Sequence, residues 1–161
     1  MKDRKSVTRD AQTRALGLLA RREHSRRELR RKLVRSGHEE DEVQATLTRL
    51  DGSGLQSDQR FAEILVRSRI AQGHGPVRIA AELRLHGLDE ALVDKAFAAA
   101  EPDWEALALE LYRRRFRTPA EDQPERIRRA RFLVTRGFTP AMARTCLDLD
   151  PSESDDAGDL D

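Results

Sequence analysis

A pattern that returns every 50 residues limits this chain to architectures built by repetition. Leu29, Leu33, Gly37, Val43 and Leu47 are echoed by Ile79, Leu83, Gly87, Val93 and Phe97, and again by Leu133, Gly137, Ala143 and Leu147. A fixed period of this length marks a tandem array of one supersecondary unit. The chemistry of each position says what the unit is. Ser25 with Glu28 reads as a capping box opening a helix, and Pro76 suits the first position of the equivalent helix. Leu29 and Leu33, like Ile79 and Leu83, share one helix face. Gly37, Gly87 and Gly137 fall where a helix closes in the left-handed conformation. New caps follow two residues later, weak at Glu39 and good at Asp89 and Thr139. The repeat is therefore helix, glycine stop, tight turn, helix.

Taken in order, the first helix is expected over about 11–22, the second over 25–36 and the third over 39–51. A turn of Gly52, Ser53 and Gly54 leads to a fourth helix starting at Ser57-Asp58 and broken by Gly73 and Gly75. Two more run from Pro76 to His86 and from Asp89 to Ala100. The seventh, with Trp104, Leu107, Ala108 and Leu111, ends in Arg113-Arg114-Arg115-Phe116-Arg117. After a longer loop the eighth starts at Pro124 or Glu125 and carries Ile127, Ala130, Leu133 and Val134, with Phe132 directed away from the Ile127/Ala130/Val134 stripe as an inter-module contact or an exposed anchor. The ninth runs from Thr139 to near Leu149. Charged residues make up 37% of the chain and aromatic ones 4%, which permits narrow apolar stripes and no thick core. The expected fold is all-α, an elongated tandem array of three three-helix modules at 11–55, 56–101 and 102–149. A basic disordered segment (1–10) precedes them and an acidic disordered tail (150–161) follows.

Charge is distributed unevenly. Residues 1–36 hold 13 Lys/Arg against 4 Asp/Glu, and residues 148–161 hold 7 Asp/Glu and no base. That asymmetry points to an anionic partner. On the second helix, Arg27, Arg31 and Arg35 lie opposite Leu29 and Leu33, with Arg26 and Arg30 flanking the core stripe. Like charges four apart repel, and a merely solvated face interleaves acids. A second cluster joins Arg113, Arg114, Arg115 and Arg117 to Arg126, Arg128, Arg129, Arg131 and Arg136. The candidate partner-binding residues are Arg21, Arg22, Arg26, Arg27, Arg30, Arg31, Arg35, Arg113, Arg114, Arg115, Arg128 and Arg136.

Catalytic readings find no support. His24, His38, His74 and His86 are not at metal-ligand spacing, and His86 reads as a cation at a helix end. Gly73-His74-Gly75-Pro76 has neither the strand nor the GK[ST] of a phosphate loop. Cys146 stands alone, so no internal disulfide and no cysteine zinc site are expected. No metal, cofactor or catalytic residue is expected. No apolar run approaches a membrane span and the first residues lack the apolar core of a signal peptide, so a cytoplasmic location is expected.

The stretches ALGLLARREHSRRELRRKL (15–33), SDQRFAEILVRSR (57–69), GHGPVRIAAELRLHG (73–87) and RRARFLVTRGF (128–138) resemble the RecX family of regulatory proteins. The resemblance covers about 11–149. It implies three tandem three-helix modules and a non-enzymatic, cofactor-free monomer. The implied partner is the RecA filament, with single-stranded DNA within or near it. The implied effect is inhibition of ATP hydrolysis, filament extension and strand exchange, within homologous recombination, DNA repair and the SOS response. The alternative is a helix-turn-helix DNA-binding module with Ser25 to Arg35 as groove reader, disfavoured by the lack of Asn or Gln on that helix for base reading.

Overall fold

The computed structural model describes residues 10–150. The expected basic arm and acidic tail lie outside the described residues except for Asp10 and Asp150, and both of these belong to the fold. The Asp10 carbonyl accepts from Arg14 N at 3.1 Å and opens the first helix. Nine α-helices follow among the described residues: α1 (Ala11–Leu19), α2 (Arg26–Arg35), α3 (Glu40–Gly52), α4 (Asp58–Ala71), α5 (Pro76–Leu85), α6 (Glu90–Ala100), α7 (Trp104–Arg115), α8 (Gln123–Thr135) and α9 (Pro140–Asp148). They form three runs of three.

The helix starts follow the side-chain caps. Ser25 Oγ accepts from Glu28 N at 3.1 Å, Asp89 Oδ1 from Leu92 N at 2.9 Å, Asp103 Oδ1 from Ala106 N at 2.9 Å and Thr139 Oγ1 from Met142 N at 3.2 Å. Glu39 makes no such bond. Asp122 caps α8 through Glu125 N at 2.7 Å, which starts that helix a residue or two earlier than the prolines imply. α1 is shorter than expected. It closes at Leu19, and Arg22 turns away to bond the Glu23 carbonyl and the Glu28 carboxylate.

The repeating glycines close their helices in one way. Gly37, Gly87 and Gly137 have φ of 92°, 83° and 97°. In each copy the glycine N–H reaches the carbonyl three residues back (Val34, Arg84, Val134) and the next N–H reaches five back (Leu33, Leu83, Leu133), the paired bonding of a Schellman motif.

The chain divides into two compact units, 1–64 with 83–96 and 65–82 with 97–161, so α4, α5 and α6 contribute residues to both. In the first unit α1, α2 and α3 pack pairwise around Ala11, Ala15, Leu29, Leu33, Val43, Leu47 and Leu50. The second run joins this bundle through polar contacts. Arg26 N donates to Asp58 Oδ1 at 2.8 Å, and buried Gln56 donates Nε2 to the same oxygen at 2.8 Å and to the His24 carbonyl at 3.3 Å. Ser25 Oγ lies 2.9 Å from His86 Nδ1, and Phe61 packs on the His86 ring at 4.6 Å. His86 thus serves as a joint side chain, a fuller structural role than a charge at a helix end.

In the second unit α7, α8 and α9 enclose Ala108, Leu111, Tyr112, Leu133, Phe138, Ala143, Cys146 and Leu147. The inward face of α8 differs from the expected Ile127/Ala130/Val134 stripe. Ile127 and Val134 are 46% and 44% exposed; Leu133 is buried, as its place in the repeat implies, and Arg129 is buried beside it. Phe132 is half-buried and meets Phe116 edge-on at 5.5 Å, so it packs within its own module. Gly75 is also more than a helix break. Its N–H donates to the Arg136 carbonyl at 2.8 Å, and Val77 N donates to the Gly137 carbonyl at 2.9 Å. The N-terminus of α5 thus lies directly on the closing turn of α8. Ser25 and the turn at Gly87 meet at the same offset in the chain, there through side chains.

Candidate partner-binding surface

The arginines of α2 and of the turn before it separate into two groups. Arg22, Arg26 and Arg30 are engaged within the fold. Arg22 Nη1 donates to Glu28 Oε2 at 3.1 Å, Arg26 Nη2 reaches Gln44 Oε1 at 3.4 Å and Thr48 Oγ1 at 3.3 Å, and Arg30 forms a two-point pair with Glu40 at 2.6 and 2.9 Å. These three brace α2 against its neighbours, which reduces their part in an outward surface. Arg27, Arg31 and Arg35 are exposed and have no carboxylate partner among the described residues, and Arg21 is likewise exposed and unpaired. The stem of Arg27 rests on the closing turn of α5, where a Cβ on Gly87 would meet Arg27 Cδ at 3.3 Å. The opposition of this stripe to Leu29 and Leu33, both fully buried, holds.

Beneath the stripe lies a charged cluster not foreseen as such. Glu28, 6% exposed, receives Arg22, lies 3.2 Å from Lys32 Nζ and 3.0 Å from Nδ1 of buried His24. Its side chain therefore does not complete a capping box with Ser25. Burial alone raises the Glu28 pKa, but the hydrogen bonds from Arg22, His24 and Lys32 win and hold it at about 2. Burial pushes the His24 imidazole down, against the pull of Glu28. Because the Glu28 carboxyl is depressed in the folded state, its contribution to stability is present above the unfolded pKa and is lost as pH falls from about 4.5 towards 2. The expected loss across that window is on the order of 3 kcal/mol. Glu28→Gln should flatten the melting temperature against pH there, read by circular dichroism; an unchanged slope would remove Glu28 from the acid response.

In the second unit, Arg113, Arg114 and Arg115 are exposed at the end of α7, and Arg115 also lies over Phe116 at 5.4 Å. Arg128 is exposed on α8. Arg136 is half-buried with its guanidinium 5.6 Å from the Phe132 ring centroid. Arg129, read as a member of this surface cluster, is 3% exposed and belongs to the interior. Its guanidinium donates to Tyr112 Oη at 3.2 Å, the Thr118 carbonyl at 2.8 Å, the Pro119 carbonyl at 3.3 Å, Asp150 Oδ2 at 3.3 Å and Glu125 Oε1 at 2.7 Å. Tyr112 also donates to Asp150, and burial first, then that bond, pushes its phenol up to about 12. The only hint of this role in the sequence is spacing: Arg129 stands four before Leu133 and four after Glu125.

Among the described residues no group of His, Cys, Asp or Glu is placed to hold a metal ion, and no helix is long and apolar enough to cross a membrane. Cys146 is buried in the core of the second unit, where burial pushes its thiol up.

The described residues form an all-α tandem array of three-helix modules that carries exposed rows of arginine. The chain belongs to the RecX family: residues 11–50 match the RecX first three-helix domain, 57–96 the second and 91–147 the third. It is 47% identical over 139 residues to a regulatory protein RecX of Xanthomonas oryzae, covering 86% of this chain and 87% of that one. A regulatory protein RecX of Halorhodospira halophila is 49% identical over 140 residues, covering 86% and 84%. A crystal structure of a regulatory protein RecX superposes with a TM-score of 0.72 at 26% identity, over 86% of this chain and 70% of that one. RecX from Lactobacillus salivarius shares the fold at the same TM-score, 0.72, with 23% identity over 86% and 95%.

Proposed function

We propose that this chain is a negative modulator of the RecA recombinase, binding the RecA–DNA filament and thereby inhibiting its ATPase, extension and strand exchange. Family membership supports the reading, and the observation that carries it is the exposed stripe Arg27, Arg31 and Arg35, held outward by a fully buried Leu29/Leu33 face. Arginine presents a planar fork that suits phosphate and carboxylate alike. The partner is the filament, protein and single-stranded DNA together, met by a cytoplasmic monomer with no bond made or broken and no cofactor. We take the modules as 11–55, 56–101 and 102–149. Several weak contacts, one or more per module, add through effective concentration.

The test is charge reversal. Arg27→Glu, Arg31→Glu and Arg35→Glu together should leave the fold intact, since exposed substitutions of this kind cost within about 0.5 kcal/mol each. They should abolish inhibition of the cognate recombinase's ATPase, much as added salt does, because attraction to an anionic surface becomes repulsion. Leu33→Ala is the contrasting control and should fail by unfolding, at about 2–5 kcal/mol. A folded triple variant that inhibits normally would shift the contact to Arg113, Arg114, Arg115, Arg128 and Arg136. Tighter binding to bare duplex DNA of one sequence than to the coated single strand would favour the helix-turn-helix reading.

A further inference from the structure

We propose that the solvent face of the second helix of each module is a protein-docking face, and that α2, α5 and α8 each take an equivalent acidic segment, bearing apolar side chains, from one protein partner. Nine large apolar side chains are exposed among the described residues. Five of them, Val34, Val77, Leu85, Ile127 and Val134, stand on these three helices. Their places coincide once the period of 50 is removed: Val77 and Ile127 match Arg27, Val34 and Val134 match Arg84, and Leu85 matches Arg35. The face comprises positions 27, 31, 34 and 35 of the first module and their echoes, which helical geometry sets side by side. In all three copies every one of these positions is exposed. Leu29, Ile79 and Arg129 at one position, and Leu33, Leu83 and Leu133 at another, are buried opposite it. None of the face positions holds Asp or Glu, although the chain has 29 of these residues. Arg78 and Arg128 add exposed charge beside the face on α5 and α8.

The chemistry of the face selects its occupant. A partner that covers the face takes the apolar side chains out of water and must then supply anions to the arginines. A phosphate backbone meets the arginines and offers nothing to Val, Ile and Leu. Single-stranded bases stack on aromatic rings, and none of the face positions holds one. A second copy of this chain would set arginine against arginine. An acidic protein segment with apolar side chains answers both halves of the face. Three equivalent faces suit a partner that presents this segment in several copies, each contact weak alone and strengthened by effective concentration. That multiplicity, and the recombinase filament as the partner, rest on the function proposed above; the composition of the faces does not.

The full-length chain tests this with its charges left alone. Val34→Thr, Val77→Thr, Leu85→Gln, Ile127→Thr and Val134→Thr together remove the apolar part of the faces and keep every arginine. All five sites are exposed, so the helical signal and melting temperature should stay near the parent's. Affinity for oligothymidylate coated with the cognate recombinase should fall at least about tenfold. Affinity for bare oligothymidylate, and its dependence on salt, should stay within about twofold, because phosphate binding depends on the unchanged arginines. Leu55→Gln with Ile64→Thr makes the same chemical change off the faces and should leave both affinities as they were. Val34→Thr alone, Val77→Thr with Leu85→Gln, and Ile127→Thr with Val134→Thr should each give part of the loss, and they carry the test should the fivefold variant melt early. Unchanged binding to the coated strand, or a loss confined to one helix, would overturn the inference. Equal losses on coated and bare strands would put nucleic acid on the faces, and self-association abolished by the five substitutions would put a second copy there; either overturns it too. A parent that does not bind the coated strand overturns the proposed function and this docking with it, whereas a parent that binds and a variant that matches it overturn the docking alone.

Discussion

Arg129→Ala is expected to destabilise the protein by about 3–5 kcal/mol, the cost of breaking a buried ion pair from one side. The guanidinium satisfies two loop carbonyls, a phenol and two carboxylates at once, and it lies 4.7 Å from the Phe116 ring centroid. Its removal leaves the Thr118 and Pro119 carbonyls without this donor and leaves Asp150, 8% exposed, with its charge uncompensated. A chain of this length loses about 2–4 °C of melting temperature per kcal/mol, so a fall of roughly 10 °C is expected. Asp150→Asn should recover part of that loss in the Arg129→Ala background, because it removes the stranded charge, while costing stability in the parent. Parallel melts of the four proteins give the coupling. Strict additivity would show that the two residues do not act as one node.

The same residue marks where sequence reading stopped. Caps and glycine stops were legible because they are local, each depending on residues within five positions, and the repeat because it returns them at a fixed offset of 50. Arg129 depends on Tyr112, Thr118, Pro119 and Asp150, none of them on its own helix. The repeat placed Leu133 in the interior, where it lies, but counting apolar residues on α8 also selected Ile127 and Val134, whereas the interior took an arginine whose charge was matched from outside the helix. Of the candidate surface, the Arg27/Arg31/Arg35 stripe could be read from helical phase alone. Glu40, Gln44 and Thr48 hold Arg26 and Arg30 by contacts between helices, and Glu28 holds Arg22 of the turn before α2; helical phase encodes neither.

Gly75 is the second site where distance along the chain hides the cause, and Gly75→Ala is expected to cost several kcal/mol. A Cβ at this position would lie 2.4 Å from the backbone C and O of Gly137 and from Phe138 N. These are backbone atoms of a closing turn, so no side chain can rotate away. The joint must open by about an ångström, which weakens the bonds from Gly75 N to Arg136 and from Val77 N to Gly137. Overpacking costs about 1–3 kcal/mol, and each lost hydrogen bond about 0.5–1.5 kcal/mol. Gly37→Ala is the matched comparison. Gly37 has φ of 92° and open space around its Cβ position, so it isolates backbone strain from steric conflict. Its expected cost is about 1–2 kcal/mol. Gly75 is not among the positive-φ glycines, so its cost comes from the neighbouring turn. Hydrogen exchange at Val77 separates the mechanisms. It should speed up strongly in Gly75→Ala and stay slow in Gly37→Ala at matched stability. A protected Val77 amide in Gly75→Ala, with a melting temperature near that of the parent, would mean that the turn yields without opening, and the joint between α5 and α8 would not be what holds this glycine in place.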